Sequence, residues 1–193
     1  MSKIHWKGST LLAPLPPMMV SCGDMEKPNI ITVAWTGILN TIPPKTYISV
    51  RPQRYSYGLI KESGVFTINL TPTHLIRAAD YCGMYTGAKV DKFAKCNLTP
   101  EAGINVSCPS IAECPISLEC RVSDIVSLGT HDMFMADIIA VNVDERYIDE
   151  KGKLRIEQCS LAAYAHGSYF ALGKKIGSFG YSVKKKQTKN KKK

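Results

Sequence analysis

Three short polar segments of the sequence follow β-like runs and contain the residue types that bind an anion. The first is "TVAWTG" (32–37), where strand-like alternation stops at a Trp followed by Thr and Gly. The second is "SVRPQRYS" (49–56), with two arginines and two serines around a proline, and the third is "TGAKVDKF" (86–93), with lysines on both sides of an Asp. Charged hydrogen bonds and the free N–H groups of a helix N-terminus converge on phosphate oxygens. Together the segments indicate a phosphate site, with Trp and Tyr available to cover a planar ring.

Each of these residues also has an ordinary structural explanation when it is considered alone. Arg51 and Arg54 suit surface ion pairs with nearby carboxylates. Trp35 suits a hydrophobic core, and Asp91 suits the cap of a helix. The combination of the three segments, rather than any one residue, therefore favours a binding site.

The sequence lacks the motifs of several common catalytic and nucleotide-binding sites. It contains neither the glycine pattern of a Rossmann cofactor site nor the Gly and Lys spacing of a phosphate loop, and the serine-nucleophile elbow is missing. The stretch "GKKIGSFG" (173–180) is rich in glycine but follows no parallel-type strand. His131 and His166 have no neighbouring carboxylate spacing that indicates a catalytic base, so a structural role is favoured for both.

The elements that must position these segments are mostly strands. The runs "NIITVAWTGIL", "KTYISVRP" and "GVFTINL" predict three β segments, with a turn at Pro43 and Pro44 between the first two. A helix is predicted over 54–63, a second from Thr73 to Gly83, and a short third one begins at Asp91.

The second half of the chain predicts a long hairpin. "CPISLECRVSDIV" alternates regularly, "SLGTHD" turns the chain, and "MFMADIIAVNVDE" returns. A short run at 161–164 brings the number of predicted strands to about six. Helices are few and lie in connections, so the pattern favours a mainly β fold, an antiparallel barrel with inserted helices, over a parallel doubly wound sheet.

The positive charge of the chain is concentrated at its end. The formal net charge is +9, but seven lysines lie in "KKKQTKNKKK", and the body carries only +2. We therefore predict a single domain over 1–183 and a disordered Lys-rich tail over 184–193. This charge distribution disfavours nucleic acid as a partner, and weak polyanion binding by the tail is the alternative.

The seven cysteines are odd in number and scattered, which favours free thiols in a reducing, cytoplasmic location. Cys108, Cys114 and Cys120 recur every six residues, too far apart along a strand for one tetrahedral metal site, so no metal is expected. The apolar N-terminal stretch is broken by three prolines, unlike a signal peptide, and no run approaches the roughly 20 apolar residues of a membrane span.

The sequence resembles the flavin reductase-like family, the group that includes flavoredoxin. The resemblance rests on five blocks in the same order and covers nearly all of 1–182: "NIITVAWTGIL", "YISVRPQRYSYGLIKESGVFTINL", "YCGMYTGAKVDKF", "CPISLECRV" followed by "GTHDMFMADI", and "YFALGKKIGSFG". It implies a six-stranded antiparallel split β-barrel with Greek-key connections, which binds FMN near the interface of a homodimer.

The resemblance also implies which residues of this chain contact FMN. Those implied to lie along the flavin ring and ribityl chain are Thr32, Trp35, Thr36, Ser49, Val50 and Arg51. Those implied to hold the phosphate are Arg54 and Ser56. Those implied to close over the cofactor are Thr86, Gly87, Lys89, Asp91 and Lys92. The C-terminal block adds His166 and Tyr169.

The function implied by the resemblance is electron transfer from NADH or NADPH through bound FMN to a flavin, a ferric complex or an acceptor protein. Flavin chemistry needs no side-chain base, in agreement with the lack of an obvious one. Two alternatives stay open. One is an electron carrier of the flavoredoxin kind without its own NAD(P)H turnover, and the other is a barrel that binds nucleic acid through the basic tail.

Overall fold

A curled antiparallel sheet makes up most of the computed structural model, which describes residues 1–183. The predicted disordered tail, 184–193, lies outside the described residues. The strands are, in chain order, β1 (Met18–Cys22), β2 (Asn29–Val33), β3 (Thr36–Asn40), β4 (Lys45–Val50), β5 (Val65–Asn69), β6 (Pro100–Glu101), β7 (Ser110–Ile111), β8 (Ile116–Ser127), β9 (Asp132–Val143), β10 (Ala162–Ala165) and β11 (Ser168–Ala171). The α-helices are α1 (Tyr55–Ser63), α2 (Ile76–Met84) and α3 (Lys92–Cys96).

Seven strands form the main sheet in the order β2-β1-β5-β8-β9-β4-β3, and every neighbouring pair is antiparallel. Strands β2 and β3 are consecutive in the chain but lie at opposite edges of this order. The sheet curls so that these edges approach each other, and Ile31 and Val33 of β2 share one buried cluster with Ile48 and Val50 of β4. The prediction of a mainly β, antiparallel split barrel is confirmed.

The sheet has seven strands where the sequence predicted about six. The run "NIITVAWTGIL", taken as one strand, is broken at Ala34 and Trp35 into β2 and β3, where the chain crosses from one edge to the other. Strand β1 was not predicted, because prolines at 14, 16 and 17 immediately precede it. Both faces of β1 and β2 are covered, so these strands show a nearly continuous apolar run rather than alternation.

Two hydrophobic clusters cover the two faces of β1 and β2. Val20 and Ile31 belong to the cluster inside the curl, together with Ile60 of α1. Met19 and Ile30 point the other way and pack beneath α2 and α3. Successive strand residues face opposite sides, so α2 and α3 are held against the outer face, next to the end of β2.

The helices begin close to the positions that the sequence predicts. Arg54 is the N-cap residue of α1, and Gly64 ends that helix in the left-handed conformation at a φ of 69°. A 3-10 turn over Thr73–Leu75 precedes α2, which continues through Gly83 to Met84 instead of ending at the glycine. Asp91 caps α3, where its side chain accepts from the N–H of Ala94 at 3.1 Å.

A buried carboxylate joins the long hairpin of β8 and β9 to the loop that precedes it. Glu119 of β8 is fully buried and accepts from the N–H groups of Ile104 and Asn105 at 2.8 and 2.7 Å. Asn142 of β9 donates a third hydrogen bond at 2.8 Å. Burial acts to raise the pKa of Glu119, but the hydrogen bonds lower it more, so the net shift is downward.

Candidate functional site

A cavity of about 280 Å³ lies where the C-terminal ends of β2 and β4 meet. The residues that line it are Pro17, Ile31, Thr32, Val33, Ala34, Trp35, Ser49, Val50, Arg51, Arg54, Asp80, Gly83, Met84, His131, Tyr164 and Tyr169. They come from strand ends, from one side of α2 and from the small hairpin of β10 and β11. The curl of the sheet is what brings these separate elements to one place.

Two hydrogen bonds fix the floor of this cavity. The bond from Ser49 N–H to the Trp35 carbonyl joins the end of β4 to the crossover between β2 and β3. The hydroxyl of Thr32 donates to the carbonyl of Ala79 at 2.6 Å, which joins β2 to α2. These two bonds connect the backbone around the cavity to β4 on one side and to α2 on the other.

Two arginines supply positive charge at one end of the cavity. The guanidinium of Arg54 is half-buried and donates to the carbonyl of Gly83 in α2, while Arg51 is exposed. Arg54 is also the N-cap residue of α1, and no hydrogen bond from its own side chain caps the helix. The first turn of α1 thus leaves backbone N–H groups without intrahelical partners beside a cationic side chain, an arrangement suited to an anion.

The aromatic wall of the cavity consists of parallel rings. The indole of Trp35 is 40% exposed, and its plane lies 2° from that of the His131 imidazole, with the ring centroids 6.3 Å apart. Burial, followed by the positive charge of Arg51, lowers the pKa of His131 below its ordinary value. The imidazole is therefore neutral at pH 7, and the wall offers flat apolar surface rather than further positive charge.

A tyrosine and a carboxylate bound to each other form the opposite rim. The hydroxyl of Tyr169 in β11 donates to Asp80 of α2 at 2.9 Å, and Tyr164 packs beside Tyr169 with the ring centroids 5.6 Å apart. Burial and then the bond to Asp80 raise the pKa of Tyr169 to about 12. The phenol stays protonated at neutral pH, so Asp80 has a hydrogen-bond donor beside it as it faces the cavity.

The structure brings seven of the fifteen predicted site residues together around this cavity. They are Thr32, Trp35, Ser49, Val50, Arg51, Arg54 and Tyr169. Thr36 is adjacent in sequence but faces the sheet, where its hydroxyl donates to the carbonyl of Tyr47 at 2.6 Å. His166 lies in the tight turn between β10 and β11 and lines a neighbouring cavity of about 300 Å³ that also contacts Trp35 and Tyr164.

The predicted phosphate residue Ser56 and the predicted loop lie beside α1 rather than in the lining of the cavity. Ser56 is buried, and its hydroxyl accepts from the side-chain amide of Asn29 at 2.7 Å. Gly87 packs so closely on Asn29 and Tyr55 that a Cβ there would overlap the Asn29 side chain. Thr86 and Lys89 are exposed, with Lys89 N–H donating to the Thr86 carbonyl at 3.2 Å.

Lys92 and Asp91 have structural partners in this loop. Lys92 is buried, and its ammonium donates to the carbonyls of Ile30 at 2.6 Å and Cys82 at 2.8 Å. Burial lowers its pKa. Lys92 therefore links α3 to β2 and α2 and does not point into the cavity, while Asp91 is occupied as the cap of α3.

Sequence reasoning missed the contribution of α2 and of His131. Asp80, Gly83 and Met84 are spaced three and four residues apart, which places them on one side of a helix. This spacing is a readable signal, because it places the charged Asp80 and a glycine next to each other on one face of the helix. Nothing in the sequence places His131 opposite Trp35, since that depends on the register between β4 and β9.

Comparison with known proteins identifies the family. The family model named flavin reductase like domain matches residues 11–173. The chain belongs to this family. The predicted family is thereby confirmed.

Solved structures of flavoredoxins share the fold of this flavin reductase-like chain. The flavoredoxin of Desulfovibrio vulgaris (Miyazaki F) is 32% identical with a TM-score of 0.88, over 95% of this chain and 100% of that one. Flavoredoxin from Methanosarcina acetivorans is 28% identical with a TM-score of 0.86, again over 95% and 100%. A protein named NADPH-flavin oxidoreductase from Streptomyces viridifaciens is 26% identical over 137 residues, which is 69% of each chain.

The described residues, 1–183, also lack two features. They contain no group of three or more His, Cys, Asp or Glu side chains arranged to hold a metal ion. None of their helices has the length and apolar character needed to cross a membrane.

Proposed function

We propose that the cavity at the ends of β2 and β4 binds FMN and that the protein passes electrons from NADH or NADPH through it to an acceptor. The acceptor classes we propose are a free flavin, a ferric complex or a redox protein. One observation carries the proposal: a flat aromatic wall and two guanidinium groups, beside an N-terminal helix turn, line the same cavity. Membership of the flavin reductase-like family supports it.

The lining residues suit the flavin ring and its side chain. Trp35 and the neutral imidazole of His131 present apolar ring surface, and the hydroxyls of Thr32 and Ser49 lie nearby on the floor. The volume of about 280 Å³ lies just below the usual range of ligand cavities, which starts near 300 Å³. FMN held there would keep part of its ring exposed, and an open ring face is what nicotinamide stacking requires.

The cationic end of the cavity suits the phosphate. Arg54 is held at the start of α1 by its bond to the Gly83 carbonyl, so its charge is fixed before any ligand arrives. Arg54 is the N-cap residue of α1, so the first N–H groups of that helix start at the same end of the cavity. We assign the phosphate to Arg54 and this helix turn, with Ser56, the second residue of α1, as a support through Asn29.

The protein's contribution to the chemistry is position and electrostatic field. Bound FMN supplies the hydride and electron transfer. Arg51 lies at the cavity and offers positive charge that stabilises negative charge on a reduced ligand. His131 and Asp80 line the cavity, but flavin chemistry of this class needs no side-chain base.

The loop over 86–93 and the C-terminal hairpin keep supporting roles in this proposal. Gly87 permits close packing on Asn29 and Tyr55, Asp91 and Lys92 fix α3, and Thr86 and Lys89 remain exposed at the edge of the loop. We propose that this loop covers the phosphate end. His166 lies one cavity away and is proposed to reach FMN only at its edge, beyond Trp35.

The proposal is tested by titrating flavin-free protein with FMN and then reducing the complex anaerobically. Purified protein should be yellow, and the flavin-free chain should bind one FMN. Parallel additions of NADH and NADPH should bleach the flavin bands with at least one of them. Protein that stays colourless and ignores added FMN would contradict the proposal.

An electron carrier without NAD(P)H turnover is the second candidate, and the likeness to two flavoredoxins favours it. In that case the FMN complex would resist NADH and NADPH but accept electrons from a reduced partner protein. The same anaerobic experiment separates the two candidates, because FMN binding is common to both and direct reduction by a pyridine nucleotide belongs to only one.

We also propose that the chain forms a homodimer. Large apolar side chains are exposed on β3, on the turn that follows it and on β9, and they are Ile38, Leu39, Ile42, Ile139 and Val141. Exposed apolar patches of this kind are typical of subunit interfaces. Sedimentation equilibrium should give twice the mass of one chain.

The free thiols suit a reducing compartment, so we place the protein in the cytoplasm.

A further inference from the structure

Two thiols face each other across the contact between α2 and α3. The sulfur of Cys82 lies 4.0 Å from the sulfur of Cys96. Cys82 is fully buried, whereas Cys96 is half-buried at the last position of α3. The flavin proposal uses neither residue.

Cys96 reaches a large cavity beside α2 that adjoins the proposed FMN site, since Asp80 and Met84 line both cavities. This second cavity has a volume of about 550 Å³. The residues that line it are His74, Leu75, Arg77, Ala78, Asp80, Tyr81, Met84, Tyr85, Lys95, Cys96 and Asn97. Arg77 and Lys95 bring two positive charges to this cavity, and its one carboxylate, Asp80, already accepts a hydrogen bond from Tyr169. The cavity therefore has a net positive charge. The rings of Tyr81 and Tyr85 are stacked with their centroids 4.3 Å apart.

We propose that Cys96 and Cys82 form a thiol–disulfide exchange site whose substrate is a small disulfide bearing carboxylates, bound in this second cavity. The cavity supplies the cations that recognise carboxylates, through Arg77 and Lys95, and it exposes one thiol of a close pair. The site stands apart from the proposed flavin function, since no step of it requires FMN.

The exchange has two balanced steps. The Cys96 thiolate attacks one sulfur of the small disulfide, forms a mixed disulfide and releases one small thiol after it takes up a proton. Cys82 then loses its proton and attacks the Cys96 sulfur, which forms the Cys82–Cys96 disulfide and releases the second small thiol. The protein loses two hydrogen atoms and two electrons, and the small disulfide gains both.

The surroundings of the pair assign the order of attack. Cys96 lines the cavity and is the only one of the two that a small disulfide can reach. Burial, and next the charge of Cys96, raise the pKa of Cys82 to about 12. Once Cys96 is in a mixed disulfide its charge is gone, while the nearby ammonium of Lys92, which lowers the pKa of Cys82, remains. Cys82 is therefore the resolving thiol.

The test uses the reduced full-length protein and oxidised glutathione as the probe. After acid quenching and alkylation of the remaining thiols, mass spectrometry of the digest should show one peptide pair that joins Cys82 to Cys96. Cys82→Ser should instead accumulate the glutathione adduct on Cys96, and Cys96→Ser should form neither product. Cys114→Ser is the matched control, because Cys114 is buried in the same cluster as Cys82, and it should behave like the unchanged protein.

The charge of the cavity gives a second readout. Arg77→Gln and Lys95→Gln should each slow the reaction with oxidised glutathione by about two- to fivefold, the effect of one partly exposed ion pair. Neither variant should slow the reaction with cystamine, a cationic disulfide. Equal slowing of both probes would overturn the assignment of the cavity to carboxylates.

The result that would overturn the exchange site is a folded protein in which no Cys82–Cys96 linkage forms and Cys96 reacts no faster than Cys114. Each experiment is run on flavin-free and FMN-saturated protein. Loss of FMN binding leaves the thiol chemistry intact, and loss of the thiol chemistry leaves FMN binding intact, so the failures of the two proposals are distinguishable.

Discussion

Replacing Arg54 by alanine should weaken binding of FMN much more than binding of riboflavin. Arg54 is half-buried at the phosphate end of the cavity, and its guanidinium also donates to the Gly83 carbonyl. Alanine removes both interactions. Riboflavin has the ring and ribityl chain of FMN but no phosphate, so the difference between the two ligands isolates the charged contact.

The expected size follows from the loss of one charged hydrogen bond. Such bonds contribute about 1.5 to 3 kcal/mol, and each 1.4 kcal/mol corresponds to about a tenfold change in Kd. The Kd for FMN should therefore rise by about 10- to 150-fold. Riboflavin affinity should change by less than about threefold, because the aromatic wall at Trp35 and His131 is unchanged.

The assay is a fluorescence titration of flavin-free protein with each ligand at one ionic strength. Arg155→Ala is the matched control, since Arg155 pairs with Glu157 outside the cavity and both residues are exposed or nearly so. It should leave both affinities unchanged. An equal loss of FMN and riboflavin binding in Arg54→Ala would refute the phosphate assignment, and it would mean that Arg54 acts only by holding α2 through Gly83.

Three further predictions concern stability. Gly87→Ala should lower the free energy of unfolding by about 1 to 3 kcal/mol, because a Cβ there overlaps Asn29. Gly58→Ala has open space around it in α1 and should raise the free energy of unfolding by about 0.5 to 1 kcal/mol. Equal effects of the two substitutions in urea unfolding would contradict this prediction. Glu119→Gln should lower the free energy of unfolding by about 1 to 3 kcal/mol, because it turns an amide N–H toward backbone donors. The folded pKa of Glu119 is lowered, so the unchanged protein should lose stability as the pH falls through that pKa. This loss should be absent from Glu119→Gln and present in the control Glu62→Gln. Since the pKa of Tyr169 is raised to about 12, stability should fall as the pH rises from the ordinary tyrosine range toward that value, and Tyr169→Phe should show a smaller fall in the same unfolding assay.

Local pattern was enough to predict most strands of the main sheet and most helix boundaries. The alternation in β8, the breaks around Pro52 and the capping residue Asp91 each act over a few residues, so they can be read directly. The break at Trp35 could not, because it arises where the chain leaves β2, which pairs with β1, and enters β3, which pairs with β4 at the other edge of the sheet. A local pattern of a few residues does not reveal which strands pair.

Side-chain direction limited the prediction of the site. Lys92 carries the residue type expected of a phosphate ligand, yet its ammonium is buried against the carbonyls of Ile30 and Cys82. Thr36 follows Trp35 directly but faces the sheet. Neighbouring side chains of a strand or helix point to different sides, so only some residues of a contiguous motif can face one cavity. Asp80 lies on a different element and was not predicted for this reason.

The most direct test of the central proposal is a crystal structure of the protein grown with FMN. The account predicts flavin density in the cavity at the ends of β2 and β4, with the ring against Trp35 and the phosphate within hydrogen-bond distance of Arg54 and the first N–H groups of α1. Flavin density in any other cavity, or a phosphate placed away from Arg54, would contradict it.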